Sequence, residues 1–262
     1  MQSAIRNPQS AIEYEDGCMQ TPFSLSIFFP CYNDAGTIAS MVVTADAVAQ
    51  ELTDEYEVIV IDDGSTDSSR EILKALQQRY NRLRLVFHEQ NKGYGGALRS
   101  GFAHATKDWV FYTDGDAQYD VRELKKLVAL IRDDADTHRP VDVVQGFKIK
   151  RHDPFHRVVI GKLYQYTMKL LFGLKIRDVD CDFRLMRRTI FERVALESNS
   201  GIICLEMVKK IQDAGFRFVE VGVHHYFRIS GTSQFFNFGR IFKVGIGVLK
   251  LWGELVLLKK AA

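Results

Sequence analysis

The sequence lacks several features that would define a protein class directly. No apolar stretch reaches the roughly eighteen residues that a membrane-spanning helix requires. The four cysteines form no CxxC pair, which excludes the spacing of a zinc site and the density of a secreted disulfide scaffold; they are Cys18, Cys31, Cys181 and Cys204. The formal net charge is only +2, so the overall charge does not indicate nucleic-acid binding. We therefore expect no spanning helix and a reducing, cytoplasmic compartment.

The composition is that of a globular protein with a sizeable core. Of the 262 residues, 46% are hydrophobic and 26% are charged, which is ordinary for a folded domain. Residues 1–22 are the exception, because they carry acids and no apolar run of the kind found in a secretory signal. We expect them to form a poorly ordered tail. The rest is expected to form one main α/β domain.

From residue 23 onward, hydrophobic runs alternate with amphipathic ones. The hydrophobic runs read FSLSIFFP, YEVIVIDD, LRLVFHE and WVFYTD, and predicted helices near 36–52, 67–80 and 94–106 lie between them. This βαβα order predicts a mostly parallel sheet with helices on both faces, in which ligands bind at the carboxyl ends of the strands. Further predicted elements are a helix near 121–134, a strand at 141–147, an amphipathic stretch at 155–172, a strand at 218–226 and an apolar helix at 241–258.

The fourth hydrophobic run leads into a dense group of polar residues, DGDAQ. Asp114, Asp116 and Gln118 alternate, and on an extended segment alternating side chains point to one side. Three oxygen donors suit a hard divalent cation such as Mg²⁺ or Mn²⁺, which usually shares its shell with substrate phosphates. An EF-hand is a poor match, because the twelfth position counted from Asp114 is Lys125. An isolated DxD is usually a solvated turn, but the position at a strand end favours a cation site.

Two other strand ends carry polar loops. Asp62 and Asp63 precede a Gly-Ser turn, where a carboxylate can accept a hydrogen bond from a base imide or a ribose hydroxyl; helix capping and turn formation are the alternative. The loop NKGYGG contains Gly93, Gly95 and Gly96. It has neither the Walker ending nor the GxGxxG spacing, so a phosphate cradle and close packing of the helix both stay open.

Four motifs together resemble a known family. FFPCYNDAGTI, VIVIDDGSTDSS, NKGYGGALRSGF and YTDGDAQYD, in this order and spacing, are similar to the family 2 glycosyltransferases of GT-A fold. The DxDxQ form resembles the polyprenyl-phosphate sugar synthases, such as the dolichol-phosphate mannose synthases. The resemblance covers residues 23–235. It implies a nucleotide-binding half at 23–120 and an acceptor-binding half at 121–235. Beyond them, the residue pattern predicts a C-terminal amphipathic helix within 236–262.

The resemblance also implies roles for residues of these loops. The pocket for the nucleotide sugar would be lined by Pro30, Tyr32, Asp34, Asp62 and Asp63. Asp114 would reach the ribose or the cation, and Asp116 with Gln118 would hold the cation against the donor diphosphate. Asp34 stands where the family usually has a glutamate.

The chain beyond residue 145 is rich in basic residues interleaved with apolar ones. Such a pattern is attracted to an anionic membrane surface, and a basic patch alone is weak evidence for nucleic acid. We expect a membrane surface as a partner and no nucleic acid. The motif VGVHHYFRISGTSQF resembles the mobile loop of the family that closes over phosphates. The residues that the resemblance assigns to the acceptor phosphate are Lys148, Arg157, Arg228 and Ser233.

Two later segments are less regular. The motif VDCDFRLMRR departs from the family's CGFRL, because Asp182 replaces the glycine. The C-terminal helix carries Lys243, Lys250 and Glu254 among apolar residues. These charges favour a helix that lies in the membrane interface, with packing on the protein core as the alternative.

Together these expectations predict an inverting transferase that moves a sugar from a UDP- or GDP-linked donor to a polyprenyl phosphate. It would act on the cytoplasmic face of a membrane, with a membrane protein as a candidate partner. A lipid phosphate is already anionic at neutral pH, so its attack needs no strong base. The residues assigned to catalysis are Asp116, which would act through the cation, and Arg228, Arg157 and Lys148, which would hold the two phosphate groups together.

Two alternatives stay open. In the first, the protein is a family 2 transferase that acts on a sugar hydroxyl during polysaccharide or glycolipid synthesis, and Asp180 or Glu206 is the candidate base. In the second, it is a non-catalytic module that binds a nucleotide sugar or a membrane.

Overall fold

The computed structural model describes residues 23–133, 140–151, 155–227 and 238–258. The strands are β1 (Leu25–Cys31), β2 (Tyr56–Asp62), β3 (Leu83–Phe87), β4 (Trp109–Thr113), β5 (Val143–Arg151), β6 (Phe183–Arg187) and β7 (Phe218–His225). They form one seven-stranded sheet in the order β3-β2-β1-β4-β6-β5-β7. The sheet is mostly parallel, as predicted, and β6 is the exception, since it runs antiparallel to both β4 and β5.

Helices connect the strands and cover the sheet. They are α1 (Ile38–Leu52), α2 (Ser69–Gln77), α3 (Tyr94–His104), α4 (Leu124–Asp133), α5 (Phe155–Phe172), α6 (Ile190–Arg193), α7 (Ile203–Asp213) and α8 (Phe238–Trp252). A 3-10 turn at Val121–Glu123 precedes α4, and a π-helical segment at Gly253–Leu258 follows α8. The predicted helices are confirmed to within a few residues at their ends.

The core lies on both faces of the sheet. Side chains of β1 alternate between the faces: Phe29 packs with residues of α1 and α4, whereas Phe28 packs with residues of α3 and α7. Because both faces are covered, β1 is buried along its whole length and is mostly apolar in sequence. A third cluster joins α5, α7 and α8.

The cysteines of the described residues take no part in disulfides. Cys31, Cys181 and Cys204 are buried and free. Burial raises the pKa of Cys31 and of Cys181 to about 12, so both thiols stay protonated at neutral pH. They behave as small core side chains, not as nucleophiles.

Candidate active site at the carboxyl ends of the strands

The carboxyl ends of β1, β2 and β4 meet at one edge of the sheet. In the parallel ladders, Cys31 pairs with Asp62 and Phe28 pairs with Tyr112. The loops that follow these strands therefore begin side by side. They carry the acidic residues predicted to bind the donor, namely Asp34, Asp62, Asp63, Asp114 and Asp116.

Hydrogen bonds join the loop after β1 to the loop after β2. Asn33 Oδ1 accepts from Thr66 N at 2.8 Å and from Asp67 N at 3.3 Å. Ala35 N donates to Asp67 Oδ2 at 3.0 Å. Asn33 has φ +57, a left-handed conformation that asparagine tolerates better than most residues. The two loops thus form one rigid wall.

The predicted nucleotide contacts of the first loop differ in accessibility. Pro30 is buried within β1, whereas the Tyr32 side chain is 48% exposed and is accessible to a ligand. Asp34 Oδ2 accepts from Tyr32 N at 3.1 Å. The shorter side chain that replaces the family glutamate therefore folds back onto its own loop.

Asp62 is fully buried at the end of β2. Its Oδ1 accepts from Arg70 Nε at 2.6 Å and from Ser65 N at 3.2 Å. Its Oδ2 is buried without a hydrogen-bond partner within the described part of the chain. Since an unsatisfied buried acceptor is costly, this oxygen is suited to accept a hydrogen bond from a ligand.

Asp63 has structural partners. Its Oδ1 accepts from Lys92 N at 2.9 Å and lies 2.6 Å from Nδ1 of His88. His88 Nε2 in turn lies 2.8 Å from Ser100 Oγ on α3. Asp63 thereby ties the end of β2 to the segment after β3 and to α3. These contacts favour a structural role, and its assignment to the nucleotide stays a prediction.

The glycine loop packs against a segment from much later in the chain. Gly95 N donates to Asn199 O at 2.9 Å. A Cβ on Gly95 would lie 2.2 Å from Ser198 O, and a Cβ on Gly93 would lie 2.4 Å from Asn199 O. Of the two explanations that the sequence left open, the structure supports close packing. The packing partner is the loop before α7, which the sequence did not suggest.

The acidic loop after β4 is a turn and not an extended segment. Ala117 has φ +58, and Gln118 N donates to Asp116 Oδ1 at 3.0 Å. The expectation that three side chains alternate along an extended segment is therefore wrong. Thr37 Oγ1 donates to Gly115 O at 2.8 Å, so the start of α1 holds this turn in place.

Gln118 lies next to the end of β7. Its Nε2 donates to Tyr226 O at 3.1 Å, and Tyr226 N donates to Gln118 O at 2.8 Å. Tyr226 and Phe227 are the last described residues before the predicted phosphate-closing segment. The chain therefore enters that segment directly beside the acidic turn. Arg228 and Ser233, together with the side chain of Arg157, lie outside the described residues.

Asp182, the residue that departs from the family pattern, lies close to Asp114. In the antiparallel ladder of β4 and β6, Thr113 pairs with Phe183. Asp114 and Asp182 are the next residues beyond this last pair, and the charge of Asp182 acts on Asp114. Like charges on such neighbouring residues repel each other. A third carboxylate thus lies beside Asp114.

Asp182 belongs to a buried polar network. Its Oδ1 accepts from Arg184 Nη1 at 2.9 Å and from Tyr112 OH and Cys204 Sγ, each at 3.1 Å. Arg184 is 1% exposed and also donates to Gln145 Oε1 at 2.5 Å. Burial disfavours its charge, but Tyr112 and Asp182 raise the pKa of Arg184. The guanidinium is therefore a fixed buried cation with Asp182 as its counter-ion.

Negative charge accumulates at Asp114. Burial, with the charges of Asp182 and Asp116, raises the pKa of Asp114 well above its usual range. Tyr94 OH donates to Asp114 Oδ1 at 2.7 Å. A divalent cation would offset this charge.

The donor set fits a cation that shares its shell with a substrate. Mg²⁺ is usually held by one or two carboxylates plus phosphate oxygens and waters, and Asp114 with Asp116 meets that requirement. Across the described ranges, no three His, Cys, Asp or Glu side chains are arranged to hold a metal by themselves. A cation here would therefore need oxygens from a bound diphosphate.

Lys148 lies in a buried ion pair. Its side chain is 7% exposed, and Nζ lies 3.4 Å from Asp178 Oδ2 and donates to Asp180 O at 2.8 Å. To bind an acceptor phosphate, the ammonium would have to leave Asp178. Burial raises the pKa of Asp180 to about 6, with Lys148 opposing and Asp178 adding to the shift. Asp180 is therefore able to exchange a proton near neutral pH.

Glu206 is unsuited to act as a base. It is 1% exposed, and its two oxygens accept from Glu197 N and Ser198 N, each at 2.9 Å. Lys210 Nζ donates to the same carboxylate at 2.7 Å. Burial opposes the charge, but the bonds from Lys210 and Ser198 lower the pKa of Glu206. Of the two candidate bases, only Asp180 stays compatible with proton transfer.

Apolar side chains are exposed on α5 and α8, two of the three helices of the third cluster. On α5, Leu163, Tyr166 and Leu170 share one face, and Leu170 is 85% exposed. On α8, Ile246 and Leu249 are exposed. The opposite face of α8 packs on the protein, where Val248 and Leu251 are buried and Trp252 Nε1 donates to Leu171 O at 2.8 Å. No helix in the described segments has the length and hydropathy needed to cross a membrane.

Comparison with known proteins identifies the family. Residues 26–195 match the glycosyl transferase family 2, and the chain belongs to this family. The protein from Haloferax volcanii called glycosyltransferase AglD is 30% identical in an alignment of 241 residues that covers 89% of this chain. The chain spans 38% of the length of that relative.

Solved structures agree on the fold. The glucosyl-3-phosphoglycerate synthase of Mycobacterium tuberculosis with Mn²⁺ and UDP-glucose superposes with a TM-score of 0.64 at 17% identity, covering 88% of this chain and 78% of that one. The same synthase with Mg²⁺ and UDP gives a TM-score of 0.58 at 17% identity, covering 80% and 73%. This likeness confirms the expected GT-A type of α/β fold.

Proposed function

We propose that this glycosyltransferase is an inverting, cation-dependent enzyme that moves a sugar from a UDP- or GDP-sugar to a polyprenyl phosphate. The observation that carries the proposal is the meeting of the Asp114–Asp116 turn with the Asp62 carboxylate at one edge of the sheet. Mn²⁺ or Mg²⁺ accompanies UDP or UDP-glucose in the solved structures of the mycobacterial synthase, which supports a cation and a nucleotide donor here.

The loops divide the binding of the donor between them. The unpaired Asp62 Oδ2 accepts from the base or ribose, and the exposed Tyr32 lies along the nucleotide. Asp114 and Asp116 hold the cation, with Gln118 beside them. The cation, when bound, offsets the charge of the departing nucleotide diphosphate. Gln118 also donates a hydrogen bond to Tyr226 O, two residues before Arg228 in the chain.

The acceptor approaches from the side of α5. Gln165 on α5 donates to Asp178 Oδ1 at 2.6 Å. Asp178 lies four residues before Asp182, which is next to Asp114, so α5 is connected to the acidic turn through this segment. The same helix exposes the apolar side chains of Leu163, Tyr166 and Leu170, which suit a lipid chain. A lipid phosphate needs no deprotonation, and its direct attack on the anomeric carbon inverts the linkage. Lys148, Arg157, Arg228 and Ser233 are the proposed ligands of that phosphate.

The test of this function compares acceptors. The purified chain is incubated with Mn²⁺, UDP- or GDP-sugars, and either a polyprenyl phosphate in detergent or a glycan with free hydroxyls. We expect a glycosylated lipid phosphate and no glycan product. Product formed only on the glycan overturns the lipid-phosphate assignment, and donor binding without turnover on any acceptor favours a non-catalytic module.

A sugar-hydroxyl acceptor is the second candidate, and one observation favours it. Asp180, with its pKa raised to about 6, has the proton affinity that a general base needs. The variant Asp180→Asn separates the two chemistries. It should keep turnover with a phosphate acceptor, whereas loss of a required base lowers turnover by about 10² to 10⁴.

We further propose that α5 and α8 contact the cytoplasmic face of an anionic membrane. Their exposed leucines are flanked by lysines, among them Lys250, which is 78% exposed. Leu170→Glu should weaken binding to sedimented vesicles that contain anionic phospholipid. The matched control is Val43→Glu, at an exposed apolar position on α1. Equal binding by both variants rejects this surface.

A further inference from the structure

One line of contacts runs from a buried carboxylate on α7 to the acidic turn. Glu206 holds the loop formed by residues 197–199 through the backbone N–H groups of Glu197 and Ser198. Lys210 Nζ pairs with the same carboxylate. Both carboxylate oxygens of the buried Glu206 therefore hold the 197–199 loop in place. This loop is distant in sequence from every motif of the donor site.

The 197–199 loop fixes the first turn of α3. Asn199 O accepts from Gly95 N at 2.9 Å. Arg99 Nη1 donates to Asn199 Oδ1 at 2.9 Å and to Glu197 O at 3.1 Å. Because a Cβ on Gly95 would lie 2.2 Å from Ser198 O, the loop and the helix are in direct backbone contact. A shift of the loop must therefore move the start of the helix.

Tyr94 is the residue at the start of α3 that reaches the acidic turn. It precedes Gly95 directly, and its OH donates to Asp114 Oδ1 at 2.7 Å. The like charge of Asp182 lies close to Asp114, just beyond the last pair of the β4–β6 ladder. Repulsion disfavours any one orientation of the Asp114 carboxylate, and the hydrogen bond from Tyr94 favours the observed one.

We propose that Glu206 and Tyr94 are positioning residues for the cation site: Glu206 sets the 197–199 loop, the loop sets the first turn of α3, and the Tyr94 hydroxyl orients Asp114. This inference rests on the proposed function, since Asp114 matters only if it binds a cation or a donor. Neither residue contacts the reacting atoms. Their effect should therefore appear in cation and donor affinity before it appears in turnover of the saturated enzyme.

The experiment measures binding of Mn²⁺ in the presence of UDP by titration calorimetry. Tyr94→Phe removes one hydrogen bond to a charged group, and we expect Mn²⁺ affinity to fall about tenfold. Glu206→Gln should lower it in the same direction. The double variant should bind about as weakly as Tyr94→Phe alone, because both changes act through the same carboxylate.

The controls are residues of the same kind on other parts of the sheet. Glu57 is 5% exposed and accepts from Thr106 N at 2.7 Å, at the end of the sheet remote from the acidic turn. Glu57→Gln should lower stability as Glu206→Gln does but leave Mn²⁺ affinity unchanged. Tyr80→Phe, on the opposite face, is the control for Tyr94→Phe. If Glu206→Gln fails to fold, Arg99→Met loosens the same loop from an exposed position.

The outcomes separate the two proposals. If the wild type binds no Mn²⁺ with UDP, both the proposed function and this inference fail. If the wild type binds and Tyr94→Phe or Glu206→Gln binds equally well, only the inference fails. Losses that multiply in the double variant also reject it, because they show that the two residues act independently.

Discussion

Asp182 lies close to Asp114, just beyond the end of the β4–β6 ladder, and at the same time receives a hydrogen bond from the buried Arg184 at 2.9 Å. One carboxylate thus increases the negative charge at the proposed cation site and balances a buried cation. The family usually has glycine at this position. In this chain, the fold around Arg184 and the charge of the acidic turn are therefore linked through a single side chain.

Replacing Asp182 by the family's glycine should destabilise the protein. The change leaves the buried guanidinium of Arg184 without its counter-ion, which costs about 3 kcal/mol after partial relief of the repulsion with Asp114. Urea unfolding measures the effect. Asp182→Asn keeps an oxygen that can accept from Arg184, so its free energy of unfolding should fall clearly less. Equal stability of the wild type and both variants contradicts the role of Asp182 as counter-ion.

Removing Asp116 should abolish transfer without unfolding the protein. Asp116→Ala deletes a proposed ligand of the cation, whose charge stabilisation is worth several kcal/mol, so turnover should fall by at least about 10². Product formation and a circular dichroism melt are the two measurements. Asp120→Ala, in the same loop but bonded to Arg122, should keep turnover. Normal activity of Asp116→Ala shows that the cation assignment is wrong.

A methyl group at Gly95 should disturb both the fold and the acidic turn. The added Cβ would lie 2.2 Å from Ser198 O, and such overpacking typically costs about 1–3 kcal/mol. Gly95→Ala should unfold at lower urea concentration than the wild type and bind Mn²⁺ with UDP more weakly. Gly201→Ala is the control, because a Cβ there meets nothing within 4 Å. If Gly95→Ala and Gly201→Ala unfold at the same midpoint urea concentration, the packing role of Gly95 is refuted.

Asp180 should make stability depend on pH. Burial raises its pKa from the usual 3.8 to about 6, so the folded state holds the proton more tightly than the unfolded state. The resulting stability is fully present below pH 3.8 and is lost as the pH rises through about 6; it amounts to at most about 3 kcal/mol.

The variant Asp180→Asn tests this dependence, since the amide stays neutral. Its stability relative to the wild type should increase between pH 4 and pH 7 in urea titrations. Asp54→Asn, at an exposed position, controls for the loss of one charge. A stability difference that does not change with pH argues against a raised pKa of Asp180 in the folded state.

Much of the fold was readable in the sequence, and the exceptions have physical causes. The runs that became β1, β2 and β4 are buried along their whole length and mostly apolar, because helices cover both faces of the sheet. β6 was missed because Arg184 makes its sequence look basic and exposed. That arginine is buried only because Gln145, Asp182 and other distant groups satisfy it.

The candidate site shows the same division. Its acidic residues were found from the sequence because they follow apolar strands. The left-handed Ala117 was not foreseen, since alanine carries no signal for positive φ. The sequence did not predict what the glycines of α3 pack against, because Ser198 and Asn199 lie about a hundred residues away in the chain. Lys148 was assigned to the acceptor phosphate, and its pairing with Asp178 in the fold could not be seen in the sequence.

By itself, the sequence determined the α/β class, the family and the three strand-end loops, because apolar periodicity and short motifs are local properties. Only the tertiary structure decided which charges neutralise each other. The register that brings Asp182 close to Asp114, and the contacts that link Glu206 to Tyr94 through the 197–199 loop, depend on distances between segments that the order of residues does not contain.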